Sequence, residues 1–218
     1  MLAYIIESDI IDLGRENKIF KEWTTHSRKE TKNMPNWCFG EVQVKGTQEN
    51  KNKFYDLFLT NNQEKNANKK RYFARTWINS EIKEHDNGTA SFFIECAWSV
   101  YSCMVNGYPN KYEDHECPTI FEISKELELE IQIASEECGC CFREFYHIKN
   151  GEVIEQQCED FPESDFDEEE LYEKYLKKWN ETHTEGEPAR FDEWCDLEYQ
   201  ELRDAWYWEV YNKLSLVQ

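Results

Sequence analysis

Met34-Pro35-Asn36-Trp37-Cys38-Phe39-Gly40-Glu41-Val42-Gln43-Val44-Lys45-Gly46 gives a short buried lead-in followed by an alternating strand that ends at a glycine. Phe39, Val42 and Val44 are its apolar positions. Thr47 is placed to cap a helix, and Trp37 to seat the start of the strand against the core. Downstream, Gln48–Leu59 sets Phe54, Leu57 and Phe58 on one helical face. Residues 60–70 are polar and low in complexity, the composition of a surface loop. Arg71–Ile78 alternates as a strand, with Tyr72, Ala74, Thr76 and Ile78 on one face and Phe73 and Trp77 on the other. Asp86-Asn87-Gly88 is a turn, and Ala90–Trp98 is the strongest strand of the mid-chain.

A loop covers residues 107–117, and Pro118 suits the first turn of a helix running to about Glu126. Glu128–Ser135 alternates with Leu129, Ile131 and Ile133 inward, and Phe142–Ile148 alternates as well. Asn150-Gly151 is a hairpin turn into Val153 and Ile154. Strand, helix, strand, strand, helix, strand is the split βαβ order of ferredoxin-like folds, here with an extra terminal hairpin. The expected class is therefore α+β. Upstream, residues 1–33 hold an apolar run from Leu2 to Ile6, then Ile10, Ile11 and Leu13. Two readings of them stand: Ile5, Ile6, Ile10 and Ile11 pack as an added strand or helix, or Met34 is the ancestral or actual initiator.

Beyond Cys158 the composition changes. Ser164-Asp165-Phe166-Asp167-Glu168 has capping-box spacing, and the helix after it aligns Tyr172, Tyr175, Leu176 and Trp179. Residues 180–189 make a linker. A second helix, Phe191 to about Leu214, aligns Cys195, Tyr199, Leu202, Trp206 and Val210. The expectation is an acidic αα-hairpin docked on the sheet. Three regions result: an extension over 1–33, a ferredoxin-like domain over 34–158 and an acidic helical region over 159–218.

Met34-Pro35-Asn36-Trp37-Cys38 opening a strand that closes on Gly46 resembles the start of the YubB-type ferredoxin-like proteins, a family scattered over phages, plasmids and bacterial genomes. Trp98-Ser99 at a strand end resembles them too, as does Glu136-Glu137-Cys138-Gly139-Cys140-Cys141-Phe142, an acidic glycine turn followed by Phe. The resemblance covers roughly residues 34–157 and implies a fold and a genetic neighbourhood, not an activity.

The net charge of -20 is unevenly spread. Residues 1–34 carry six acids and six bases, residues 35–154 carry 19 and 13, and residues 155–209 carry 20 and five. Such a surface repels nucleic acid and anionic membrane and attracts basic proteins, so direct nucleic-acid binding is disfavoured. Nine cysteines suggest a disulfide framework, but the number is odd, Cys140 and Cys141 are adjacent, and Glu7, Asp9 and Asp12 spoil an export signal. Reduced thiols in the cytosol are the expectation. No run approaches a membrane span.

His115 and Cys117 with Cys138 and Cys141 could supply four tetrahedral zinc ligands; the plainer reading is a tight turn whose cysteines face core or solvent. Thiol redox chemistry is disfavoured because this Cys-x-x-Cys enters a strand rather than a helix. The five histidines, at 26, 85, 115, 147 and 183, form no paired motif; His147, on a strand beside Phe145, is expected to be partly buried. No cofactor and no catalytic group are expected. A charge run is usually a solvated helix face, yet this one exceeds what solubility needs. Carboxylates on rigid helices can imitate a phosphate track. The expected function is a mobile-element inhibitor that fills the basic groove of a CRISPR effector or restriction nuclease. Its binding residues would be Asp165, Asp167, Glu168, Glu169, Glu170, Glu173, Asp192, Glu193, Asp196, Glu198 and Glu201. The alternative is a scaffold module anchored by Tyr172, Trp179, Trp206 and Trp208. Nothing in the sequence fixes the oligomeric state.

Overall fold

The computed structural model describes residues 36–107, 111–112, 115–162, 167–183 and 186–217. The readings made for residues 1–33, Met34, Pro35 and the Ser164 cap lie outside them. Asn36–Gln218 form one compact unit, the one described below.

The class is α+β. Strand β1 (Trp37–Lys45) lies between β4 (Thr89–Ala97) and β7 (Glu130–Glu137), antiparallel to both. Beyond β4 comes β2 (Thr76–Ile78), with β3 (Lys83–Glu84) further along the same edge. Beyond β7 come β8 (Phe142–Lys149) and β9 (Glu152–Asp160), so the order is β2-β4-β1-β7-β8-β9. The Asn150-Gly151 hairpin joins the last two, both residues at positive φ as a two-residue loop demands.

Alternation decides which side chains enter the core. Cys38, Val42 and Val44 of β1, Phe92, Ile94 and Cys96 of β4, Ile131 and Ile133 of β7, and Tyr146 and Ile148 of β8 share one face. Helices α1 (Gln48–Tyr55) and α3 (Ile120–Glu126) cover it with Phe54, Ile120 and Ile123, joined by Phe58 and Leu127. Thr47 caps α1, and Thr119 with Glu122 forms a capping box on α3. Each fully buried branched or aromatic side chain contributes roughly 1.5–3 kcal/mol, so this layer dominates stability. Gly40 interrupts the apolar phase because a Cβ there would come 2.9 Å from the Ala134 carbonyl oxygen.

The opposite face is covered over β7 and β8 by the last helix, α6 (Gln200–Tyr211). Val210 and Leu214 pack on Ala134 and Phe145, and Trp206 and Tyr207 pack on Phe161.

Several elements depart from expectation. Arg71–Ile78 forms a strand only over Thr76–Ile78. Phe73 turns into an aromatic cluster with Phe54 and Phe58, centroids 6.0 and 5.2 Å away, and Arg75 takes φ 49°. The loop at 60–70 contains the short helix α2 (Gln63–Ala67), capped by Asn62. The loop at 107–117 carries a two-stranded ribbon, β5 (Lys111–Tyr112) with β6 (His115–Glu116). Tyr101–Val105 forms a π-helical turn after β4.

Candidate functional site: an acidic C-terminal surface

Helix α4 (Glu168–Thr182) begins at Asp167, whose carboxylate accepts the Glu170 backbone N–H at 2.9 Å. Glu168, Glu169 and Glu170 occupy its first turn, where the helix dipole favours negative charge. No residue of α4 is buried. What holds it is a ring cluster. Tyr172 stacks on Tyr175 at 5.8 Å and meets Phe191 and Trp194 at 5.2 and 5.4 Å. The Tyr172 hydroxyl donates to the Ala189 carbonyl at 2.7 Å, and the Ala189 N–H donates to the Tyr175 hydroxyl at 3.0 Å. The linker is thereby strapped along the helix, and Trp194 is the buried residue at the centre of the contact.

The second helical segment is not one straight helix. Helix α5 (Phe191–Trp194) passes through a π turn, Cys195–Tyr199, into α6. A wide turn holds one extra residue, which advances the helical phase by about 100°. Trp194 therefore faces the ring cluster while Trp206 and Val210 face the sheet. Leu202, expected in the apolar stripe, is left 40% exposed.

Of the acidic residues singled out above, Asp165 lies outside the described residues, as does the side chain of Glu198. Asp167, Glu168, Glu169, Glu170 and Glu173 are all exposed on the first turns of α4. Asp192, Glu193, Asp196 and Glu201 are exposed on the second segment. Some are committed to local pairs: Glu170 to Lys174 at 2.7 Å, and Asp192 and Glu193 to Arg190, each at 3.2 Å. Exposed pairs of this kind are worth about 0–1 kcal/mol, so they do little to neutralise the surface. Asp167, Glu168 and Glu169 line one side of a cleft of about 450 Å³, faced by Cys141, Phe161, Tyr199 and Arg203. The Arg203 guanidinium donates to the Cys141 sulfur at 3.6 Å and lies 5.7 Å from the Phe161 ring centre.

Two acids of the same region serve the fold instead. Glu159 and Glu209 sit 2.8 and 2.7 Å from the buried guanidinium of Arg143, which also donates to the Trp206 carbonyl. That guanidinium holds Glu159 below the usual carboxylate range.

The four residues considered for zinc do not form a cluster. His115 Nδ1 bonds the Lys69 carbonyl, and Cys117 is buried at the approach to α3. Cys138 is exposed on the turn after β7, and the Cys141 sulfur accepts from Arg203 at 3.6 Å. Among the described residues no three His, Cys, Asp or Glu side chains gather as a metal ion would require. His147 is partly buried and bonds Glu130 at 2.9 Å.

Sequence reasoning missed Glu144, which is wholly buried. It accepts from the Val100 and Tyr101 backbone N–H groups at 2.9 and 3.2 Å, the Tyr146 hydroxyl at 2.8 Å and the Ser135 hydroxyl at 3.3 Å. Four partners make it an anchor for the π turn at Tyr101–Val105. Its sequence signal is an acid in the apolar phase of Phe142–Ile148. Of the aromatics proposed as anchors, Trp206 is buried and Tyr172 and Trp179 are packed, the latter on His183 at 4.6 Å; Trp208 is half-buried against Tyr211. The large exposed rings are Phe93, Trp98, Tyr101 and Phe191.

Comparison with protein-family models, curated proteins and solved structures finds no match for this chain. Among the described residues no helix is long and apolar enough to cross a membrane.

Proposed function

We propose that this is a non-enzymatic protein whose C-terminal acidic surface occupies the basic nucleic-acid groove of a defence enzyme, a CRISPR effector or a restriction nuclease, in the cytosol. The core is a ferredoxin-like split βαβ unit extended by the β8–β9 hairpin, of the YubB type. The strand order β2-β4-β1-β7 supports that assignment, because β1 and β2 run parallel with β4 between them.

One observation carries the functional reading. Helix α4 buries none of its residues, yet the Tyr172–Tyr175–Trp194 cluster holds it in place. A helix that contributes nothing to the core and is still fixed is a presenting element. What it presents is Asp167, Glu168, Glu169, Glu170 and Glu173. Each would pair with a Lys or Arg that otherwise contacts phosphate, so the effect is collective and sensitive to salt.

The test is capture from bacterial lysate with the wild-type chain and with Glu168→Lys, Glu169→Lys and Glu170→Lys combined. The expected partner is a nucleic-acid-binding protein, released by duplex DNA and by high salt, and not captured by the triple variant. A partner without affinity for nucleic acid, or full capture by the variant, defeats the reading. The scaffold alternative then takes its place, with Phe93, Trp98 and Tyr101 as anchors, since these are 46–48% exposed.

A further inference from the structure

The outer face of the sheet is divided. Helix α6 lies over β7 and β8, its Tyr211 hydroxyl donates to the Phe39 carbonyl at 3.4 Å, and the segment after it reaches the far end of β1, where the Val217 N–H donates to the Gln43 side chain at 3.2 Å. On β4 and β2 the same face carries Phe93, Glu95 and Trp77, and on β1 it carries Trp37 and Phe39. Phe93 is 48% exposed.

The register puts an acid in the middle of these rings. Glu95 stands directly opposite Phe39 on one side and Trp77 on the other. Trp37 and Trp77 reach over β4 from its two neighbours and meet edge to face, centroids 5.4 Å apart. Phe93 lies two residues along the same phase, opposite Glu41. Asn79 donates to Glu95 at 2.5 Å, and burial raises the Glu95 carboxyl above its ordinary range. A Glu is a poor strand former, and a carboxylate half-withdrawn from water among rings is costly without a cation. Among the described residues its partner Asn79 is neutral and no ion pair reaches Glu95.

Rings around a carboxylate are the chemistry of a guanidinium. It is planar and weakly hydrated, it stacks on aromatic faces, and it takes a carboxylate edge-on with two parallel hydrogen bonds. We propose that the β1–β4–β2 half of this face docks an arginine side chain of a basic partner segment. Glu95 receives the guanidinium and Trp77 and Phe93 pack its faces. The net charge of -20 draws such a segment in. Single-stranded nucleic acid is the other occupant that exposed rings on a sheet accept. Here Glu95 and Glu41 stand where its phosphates would pass. The proposal does not rest on the acidic-surface reading and shares no residue with it.

The probe is a ten-residue Gly/Ser peptide with one central arginine, titrated into the full chain. The readout is the two indole N–H resonances of Trp37 and Trp77. Controls are the same peptide with citrulline, the neutral isostere, and a ten-residue oligothymidylate. Saturable shifts of both resonances are expected with arginine. Binding should be at least about tenfold weaker with citrulline, and likewise with Glu95→Gln or Phe93→Ala. Glu95→Gln is isosteric and Phe93 is exposed, so both variants keep the fold, checked by their denaturation midpoints. The Glu168, Glu169 and Glu170 reversal should leave the shifts intact, which separates this site from the α4 surface. Equal binding of the citrulline peptide, unchanged binding by Glu95→Gln, tighter binding of the oligonucleotide, or no saturable shift would each overturn the proposal.

Discussion

The guanidinium of Arg143 on β8 lies 4.2 Å from the ring centre of Trp206 on α6, with Glu159 and Glu209 closing on its edges at 2.8 and 2.7 Å. One buried cation thus ties the last helix to the sheet by stacking, by charge and by a hydrogen bond to the Trp206 carbonyl. Arg143→Met should cost about 1–3 kcal/mol, because both carboxylates are partly exposed and rehydrate when released. Arg143→Lys should lose most of this too, since an ammonium cannot serve three partners in one plane. Urea denaturation monitored by far-UV circular dichroism measures both; midpoints within error of the wild type would contradict this role.

Glu144→Ala strips the Val100 and Tyr101 N–H groups of their acceptor in a buried place. Each orphaned donor costs about 1–3 kcal/mol, so the variant should be destabilised by at least about 2 kcal/mol. Glu144→Gln, which keeps one acceptor oxygen, should lose less. Amide hydrogen exchange at residues 100 and 101 provides the local readout. Both amides should exchange faster in the alanine variant even under conditions where the sheet stays protected.

Glu136 lies on the outer face beneath α6, and burial, with Asp204 nearby, pushes its carboxyl up to about 8 from 4.5. Between those values the folded protein holds a proton that the unfolded chain has released. The associated stability is complete below about pH 4.5 and is lost as the pH rises through about 8. Thermal midpoints from pH 5 to pH 9 should therefore fall more steeply for the wild type than for Glu136→Gln, with the gap widest at the alkaline end. Parallel curves would show that Glu136 does not titrate there.

Trp194→Ala removes the buried hub of the ring cluster that fixes α4. Because α4 buries nothing in the main core, the global urea midpoint should move by less than about 1 kcal/mol. Cleavage by trypsin at Lys174, Lys177 and Lys178 should nevertheless accelerate several-fold, as local opening no longer has to break the cluster. A large global loss with unchanged cleavage would mean that α4 is part of the cooperative core.

Alternation was enough to find β1, β4, β7 and β8, since in each strand one phase is apolar and the sheet buries that phase. The Asn150-Gly151 turn was legible for the same local reason. Arg71–Ile78 was misread because Phe73 joins the ring cluster of Phe54 and Phe58 between α1 and the sheet rather than following the pleat. The straight second helix was misread because a π turn leaves no mark in composition and yet rotates everything after it. The acidic surface could be counted from the sequence, but not divided. Only packing separates Glu159 and Glu209, held by Arg143, from Glu169 and Glu173, which face water. Phe93 and Glu95 share the outward phase of β4 with Ser91. A large ring among polar neighbours was the available clue, though the identity of the opposing strands, and so the meeting of Trp37 with Trp77, was beyond reach.

Among the described residues strand β9 ends the sheet, and along its nine residues one row of backbone donors and acceptors has no strand beside it. Val153 and Ile154 stand about half-exposed on it, among Glu152, Glu155, Glu159 and Asp160. An edge of this length is a template for zippering onto a like edge. Glu155 is paired with Lys213 and Glu159 with Arg143, so Glu152 and Asp160 are left to repel a second copy that approaches in register. Raising the salt concentration screens that guard. Cross-β fibrils, reported by thioflavin T, should then nucleate on β9. Glu152→Gln should bring their onset to a lower salt concentration.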